Sequence, residues 1–136
     1  MNNMSEIKRY YDSNNNLLAI VIPGEYESKG IEFITTNDDY QQIATMSHAK
    51  GHVILPHFHN KAPRQIDYTT ETLIIKKGVL TTNLYENKKL IHSFQFRSGD
   101  VIALVSGGHG FIVDEDVSMI EIKQGPYVGE QDKTRF

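Results

Sequence analysis

From Leu17 onward the chain is a succession of short apolar, β-branched stretches, each closed by turn-forming residues. The stretches cover residues 17–22, 31–35, 41–46, 52–55, 72–75, 79–85, 90–96, 101–105, 110–113 and 118–122. Between them stand Pro23 with Gly24, Asn37 with Asp38 and Asp39, Lys50 with Gly51, and Lys77 with Gly78. Further along come Glu86 with Asn87, Ser98 with Gly99 and Asp100, Gly107 with Gly108, and the acidic run Asp114, Glu115, Asp116. Apolar positions never recur at helical spacing over a helix-length window, so no helix competes for these segments. Many short strands at close spacing predict an all-β sandwich or barrel. Residues 1–16 read as a loose arm or short helix ending in a polar turn, residues 17–124 as the β-barrel, and residues 125–136 as a polar tail crossing its surface.

The chain has 136 residues, the size of one ordinary domain. A compact chain of this length buries enough surface to fold without cross-links. It has no cysteine, which excludes disulfides, thiolate metal sites and a cysteine nucleophile. A transition metal would have to be held by imidazole and carboxylate. The formal net charge is −3, and the lysines and arginines are scattered, against the basic face expected of a nucleic-acid binder. No apolar run approaches membrane-spanning length, and the N-terminus lacks the apolar core of a secretory leader. The expectation is a cytoplasmic protein that engages neither nucleic acid nor membrane.

Three stretches share one design. Side chains alternate faces along a strand, so Val53, Leu55, His57 and His59 lie together. So do Glu71, Leu73 and Ile75, and so do His109, Phe111 and Val113. Each stripe is apolar for most of its length and carries an ionisable group at one end. A buried carboxylate or imidazole is costly unless paired or bound to a cation. One shared divalent ion would satisfy His57, His59, Glu71 and His109 together. The plainer readings are a hydrogen-bonded histidine and an exposed strand carboxylate. For His48, His52 and His92 the plainer reading is preferred, and His92 falls in phase with Leu90, Phe94 and Phe96 as a packed or pocket-lining residue.

The spacing of these residues resembles the cupin superfamily. Its first motif is Gly, five residues, His-x-His, a variable stretch, Glu, six residues, Gly. The chain has Gly51, five residues, His57-Phe58-His59, then Glu71, six residues, Gly78, with eleven residues in the variable stretch. The second motif is followed less closely. Gly99 opens it and His109 closes it, Val105 stands for the usual Pro, Val113 for the usual Asn, and one residue is missing before the histidine. The tail, with Glu121-Ile122-Lys123-Gln124-Gly125-Pro126-Tyr127, is similar to that of small single-domain cupins associated with sugar or polysaccharide metabolism. The resemblance implies a double-stranded β-helix (jelly-roll) barrel holding one ion of Mn, Fe, Co, Ni, Cu or Zn.

Such a centre with open positions suits a metal-dependent enzyme acting on a small, sugar-derived substrate by isomerisation or epimerisation. Tyr127 and His92 are candidate proton-transfer groups, and Arg64 and Lys123 candidate substrate contacts. Their ordinary alternatives are a packed tail tyrosine, a packed histidine and exposed cations. Two other readings remain open: a metal-dependent dioxygenase, and a non-enzymatic binder or sensor of a small sugar or acid. A metal-free barrel is the blandest. An unpaired sheet edge is a liability that pairing covers, so a homodimer through residues 17–22 and 31–35 is expected.

Overall fold

The computed structural model describes residues 6–136. In chain order the strands are β1 (Lys8–Tyr11), β2 (Leu17–Ile22), β3 (Gly30–Phe33), β4 (Ala44–Ser47), β5 (Glu71–Glu86), β6 (Lys89–Arg97), β7 (Val101–Leu104) and β8 (Gly108–Lys123). A 3-10 turn covers Glu130–Asp132. The fold is all-β, and every strand pairing is antiparallel. Among the described residues no helix is long and apolar enough to cross a membrane. The described residues form two compact units, one made of residues 6–26 with 69–136, the other of residues 27–68.

The larger unit is one curled antiparallel sheet with strand order β1-β2-β7-β5-β6, and β8 paired to β5. β5 and β8 are sixteen residues each, longer than strands in globular proteins usually run. The sequence predicts a turn at Lys77 and Gly78 and another at Asp114–Asp116. Instead both lie inside continuous strands, at the same level of one ladder, where the β5–β8 register shifts repeatedly between Ile75 and Leu80. The two breaks together make a bend rather than two reversals. Such irregularities kink a strand and increase its twist.

The bend also changes which side chains face the core. Before it, Glu71, Leu73 and Ile75 are buried; after it, Leu80, Thr82 and Leu84 are. A regular strand would have turned one of those sets outward. The extra residue at Gly78 restores the phase. Its φ of 92° is open to glycine alone without strain. A Cβ there would stand 2.1 Å from the carbonyl oxygen of Asp116.

Leu73, Ile75, Leu80 and Leu84 of β5 pack with Leu18, Ala19 and Val21 of β2, Phe96 of β6, and Ile102 and Leu104 of β7. The sheet's ends also meet. The Tyr10 ring on β1 stacks on Phe94 of β6 at 4.2 Å, and His92 Nε2 donates to the Tyr11 carbonyl oxygen at 2.8 Å. Contact between the first and last strands of the order shows that the sheet curls toward a half-barrel. Lys8–Tyr11 is thus a strand of this sheet, where a loose arm or short helix is expected from the sequence; residues 1–5 of that arm lie outside the described residues.

The tail is fastened at the start of β5. Thr70 N–H donates to Gln124 Oε1 at 2.9 Å and Gln124 Nε2 to Thr70 Oγ1 at 2.8 Å. Thr69 Oγ1 donates to Asp132 Oδ1 at 3.0 Å, and the Phe136 ring meets Tyr85 edge to face. β2 pairs on both sides, with β1 and β7; of the two strands expected to join a dimer, β3 is the one that lacks a second strand beside it among the described residues. Among the described residues β8 also lacks a second strand partner.

In the smaller unit β3 and β4 form a two-stranded ribbon. Its connection is closed by Asp39, whose Oδ2 accepts from Thr36 N–H at 2.8 Å, and by the Ile34 N–H bond to the Ile43 carbonyl at 2.8 Å. The strand expected over residues 52–55 is not formed. That segment carries no ladder, and Val53, Ile54 and Leu55 are exposed. Pro56 removes one backbone donor at its end, which disfavours an interior strand position.

Replacing Gly78 by Ala is expected to lower unfolding free energy by about 2–4 kcal/mol, from positive φ together with a backbone clash. Gly110→Ala, where the nearest atom to the new Cβ is 3.8 Å away, is the matched control and should shift stability by less than about 1 kcal/mol. Urea titrations followed by circular dichroism would measure both. Equal midpoints for the two variants would contradict the role given to the bend.

Candidate metal and ligand site

Glu71 is the first residue of β5 and is 8% exposed. Its Oε2 lies 3.2 Å from His109 Nε2 on β8. The ladder makes this contact informative. His109 pairs across from Leu84, far along β5 from Glu71. From residue 71 to residue 84 a straight strand runs about 40 Å. Only a ribbon bent back on itself brings the carboxylate and the imidazole together, so the bend at Gly78 builds this pair.

His109 is aimed by the turn before it. Gly107 has a φ of 74°, and a Cβ on it would stand 2.7 Å from Leu18 Cδ2 and 3.0 Å from the Tyr85 carbonyl oxygen. A Cβ on Gly108 would meet the Phe136 ring at 2.8 Å. With no side chain at either position, the backbone packs against β2, β5 and the tail, and β8 begins with its imidazole on the core face. There His109 shares a face with Phe111, as the alternation predicts.

The Glu71 carboxyl is held below its ordinary pKa. The hydrogen bond from His109 is the main cause; burial opposes it, and the His109 charge, a contact with Glu121 and the Lys123 charge add to the lowering. Antiparallel partners directly opposite present their side chains on one face. Lys123 is opposite Glu71, and Glu121 is opposite the buried Leu73. Both therefore lie on the core face beside Glu71. Lys123 Nζ is 3.8 Å from Glu121 Oε2, and both side chains are partly exposed.

In the smaller unit His57 and His59 stand with ring centroids 5.4 Å apart, edge to face. His57 Nδ1 lies 2.8 Å from the Leu55 carbonyl oxygen. A carbonyl only accepts, so Nδ1 carries the proton of that bond and Nε2 is left as the donor atom for a cation. A backbone carbonyl on the far nitrogen is the usual orienting partner of a metal-bound histidine. His48 and His52 stack in parallel at 4.1 Å across the turn at Gly51.

The other candidates fall as follows. His92 is on the core face of β6, opposite Leu84, with Nε2 committed to the Tyr11 carbonyl and its ring against Tyr10. Arg64 is exposed in the smaller unit, with Nη1 donating to the Ala62 carbonyl at 3.1 Å. Tyr127 is exposed on the tail beyond the cis Gly125-Pro126 bond. Of the residues marked from sequence, Glu71, His109 and Lys123 come together in one unit, and His57 with His59 in the other.

The residue missed is Glu121. Alternation alone places Ile120 and Ile122 inward and Glu121 and Lys123 outward. The ladder reverses this, because Glu121 is opposite buried Leu73. A sequence signal does exist: Glu121 and Lys123 alternate in phase with one another as Glu71 and Leu73 do.

The donor chemistry suits a divalent ion. Two ligands at roughly 2.1 Å from one ion and at right angles to each other lie about 3 Å apart, close to the observed 3.2 Å between Glu71 and His109. Neither unit by itself gathers three or more His, Asp or Glu side chains of described residues into a metal-holding group. Comparison with known proteins adds nothing to this geometry: no family model, no curated protein and no solved structure matches the chain.

A carboxylate whose folded pKa is depressed stabilises the fold above its unfolded pKa and loses that contribution as pH falls through its folded value. In chelator-treated protein, Glu71→Gln should therefore be less stable than the unmodified chain at neutral pH. The gap should close as pH drops through and below the ordinary carboxylate range. Thermal melts at stepped pH measure it, and a gap independent of pH would show that the Glu71 charge contributes nothing.

Proposed function

We propose that the chain is a small cupin-type β-barrel protein that holds one divalent metal ion through His57, His59, Glu71 and His109 and acts on a small, sugar-derived substrate. The observation that carries this reading is the Glu71–His109 contact at 3.2 Å. Two strand ends far apart on one ladder meet there with the donor types and spacing of adjacent metal ligands. A carboxylate buried to this degree needs a cationic or proton-donating partner. The His57 tautomer, with Nε2 left free by the Leu55 bond, supports the second half of the ligand set.

The cupin reading rests on the spacing Gly51, His57, His59, Glu71, Gly78 and on the half-curled sheet whose bend is made by Gly78. Three imidazoles and one carboxylate suit Mn, Fe, Co, Ni, Cu or Zn. The ion would supply Lewis acidity toward a carbonyl or hydroxyl oxygen. The residues around it then do the rest. Phe111 and Met119 on the same face of β8 give apolar walls, while Glu121 and Lys123 give charge. This is the usual composition of a small-molecule site: apolar lining with a few converging polar groups. An isomerase- or epimerase-type reaction on a sugar derivative fits such a site, and a homodimer remains the expected assembly.

Metal analysis of untagged protein is expected to find about one ion per chain, because ligand sets of this kind bind tightly near neutral pH. His57→Ala with His59→Ala, and separately His109→Ala, should each lower that content several-fold. Unchanged content in either variant would remove those residues from the ligand set.

A further inference from the structure

We infer that Lys123 is the anchor for a carboxylate on the ligand, with Glu121 as the internal counter-ion that the ligand displaces. The site thereby selects small hydroxy acids, such as sugar acids, over neutral sugars. This rests on the metal reading and deepens it.

The placement comes from the ladder. Lys123 lies opposite Glu71, at the level of the candidate centre. Its side chain is 30% exposed and that of Glu121 43%, so both are reachable from solvent while lying on the core face. The Nζ–Oε2 distance of 3.8 Å is well beyond the roughly 2.8 Å of a direct charge-assisted hydrogen bond. An ammonium has three donors and no acceptor. Lys123 therefore keeps donor capacity for an incoming oxygen, and its present partner is held by charge more than by a formed bond.

The charge balance supports an anion rather than a neutral ligand. Glu71 and Glu121 outweigh Lys123 on this face before a cation binds. A divalent ion beside Glu71 reverses the sign, so that an anionic group is attracted only once the ion is present. A carboxylate with a neighbouring hydroxyl satisfies both features, its hydroxyl end toward the ion and its carboxylate toward Lys123. Partial burial strengthens such contacts over their worth in bulk water.

Glu121 gives the inference a directional test. A counter-ion competes with the ligand for the same ammonium, so removing its charge should strengthen binding while removing the lysine weakens it. General damage to the fold would weaken both.

The experiment uses full-length protein loaded with Zn(II), D-glucuronate as the probe and D-glucose as the neutral control, followed by amide chemical shifts of β8. Metal content and melting temperature are recorded for every sample. Saturable shifts with glucuronate and none with glucose are expected. Lys123→Met should weaken glucuronate by about tenfold or more, since bonds to charged groups are worth this much. Lys123→Arg should keep most of it, and Glu121→Gln should tighten it, all with unchanged zinc. Equal affinity in Lys123→Met and the unmodified protein would overturn the inference. So would binding of glucose as tight as glucuronate, or no glucuronate binding to a chain carrying its full zinc; in those cases the metal reading stands. A chain that takes up no zinc would overturn both together.

Discussion

The structure depends on one bend. β5 and β8, sixteen residues each, run side by side, and the pair folds over at the level of Gly78, where the register shifts and where only glycine fits, since a Cβ would run into Asp116. Without the bend, Glu71 and His109 would lie at opposite ends of a long flat ribbon. With it, they touch at 3.2 Å. The same irregularity shifts the alternation, so that Leu73 and Ile75 on one side and Leu80 and Leu84 on the other fill a single core. Core formation and the meeting of Glu71 with His109 therefore share one cause in the backbone.

The rest of the unit holds that curl in place. Tyr10 stacked on Phe94 and His92 bonded to the Tyr11 carbonyl join the first and last strands of the sheet order. The tail comes back to Thr69 and Thr70 and fixes the chain just before Glu71. Gly107 and Gly108 allow the close approach that starts β8 with His109 on the core face. The charged groups thus sit at positions whose backbone is constrained on both sides, the condition a preorganised site requires. His92, which sequence alone also marks as a proton-transfer candidate, has one ring nitrogen engaged in joining strands.

Much of this architecture was legible in the amino-acid order, because its determinants are local. Apolar, β-branched stretches bounded by turn residues located the strands from Leu17 to Ile22 and from Leu90 to Phe96, and period-two alternation placed Glu71 with Leu73 and His109 with Phe111. What alternation does not carry is the difference between a turn and a bulge. Lys77-Gly78 and Asp114–Asp116 have turn composition, yet each lies within a strand, since what decides is whether the flanking residues find partners on the same neighbouring strand. That depends on contacts distant in sequence. Glu121, and the face on which Lys123 lies, were hidden for a related reason. Polarity puts them outward, and only the register against Leu73 and Glu71 puts them on the core face. In the segment 52–55 the apolar pattern predicted a strand, but no ladder forms there, because strand propensity needs a partner edge to be realised.

The functional account joins two observations made on separate parts of the chain. A carboxylate–imidazole pair is built by the sheet, and a His-x-His pair carries a tautomer suited to ligation. Its central claim is that one ion is shared by both. The most direct measurement follows the side-chain nitrogens of His57, His59 and His109 by imidazole NMR while Zn(II) is titrated into chelator-treated protein. The account predicts that all three respond together and are complete at one equivalent. A response of His57 and His59 with His109 unmoved, or of His109 at a different stoichiometry, would contradict it.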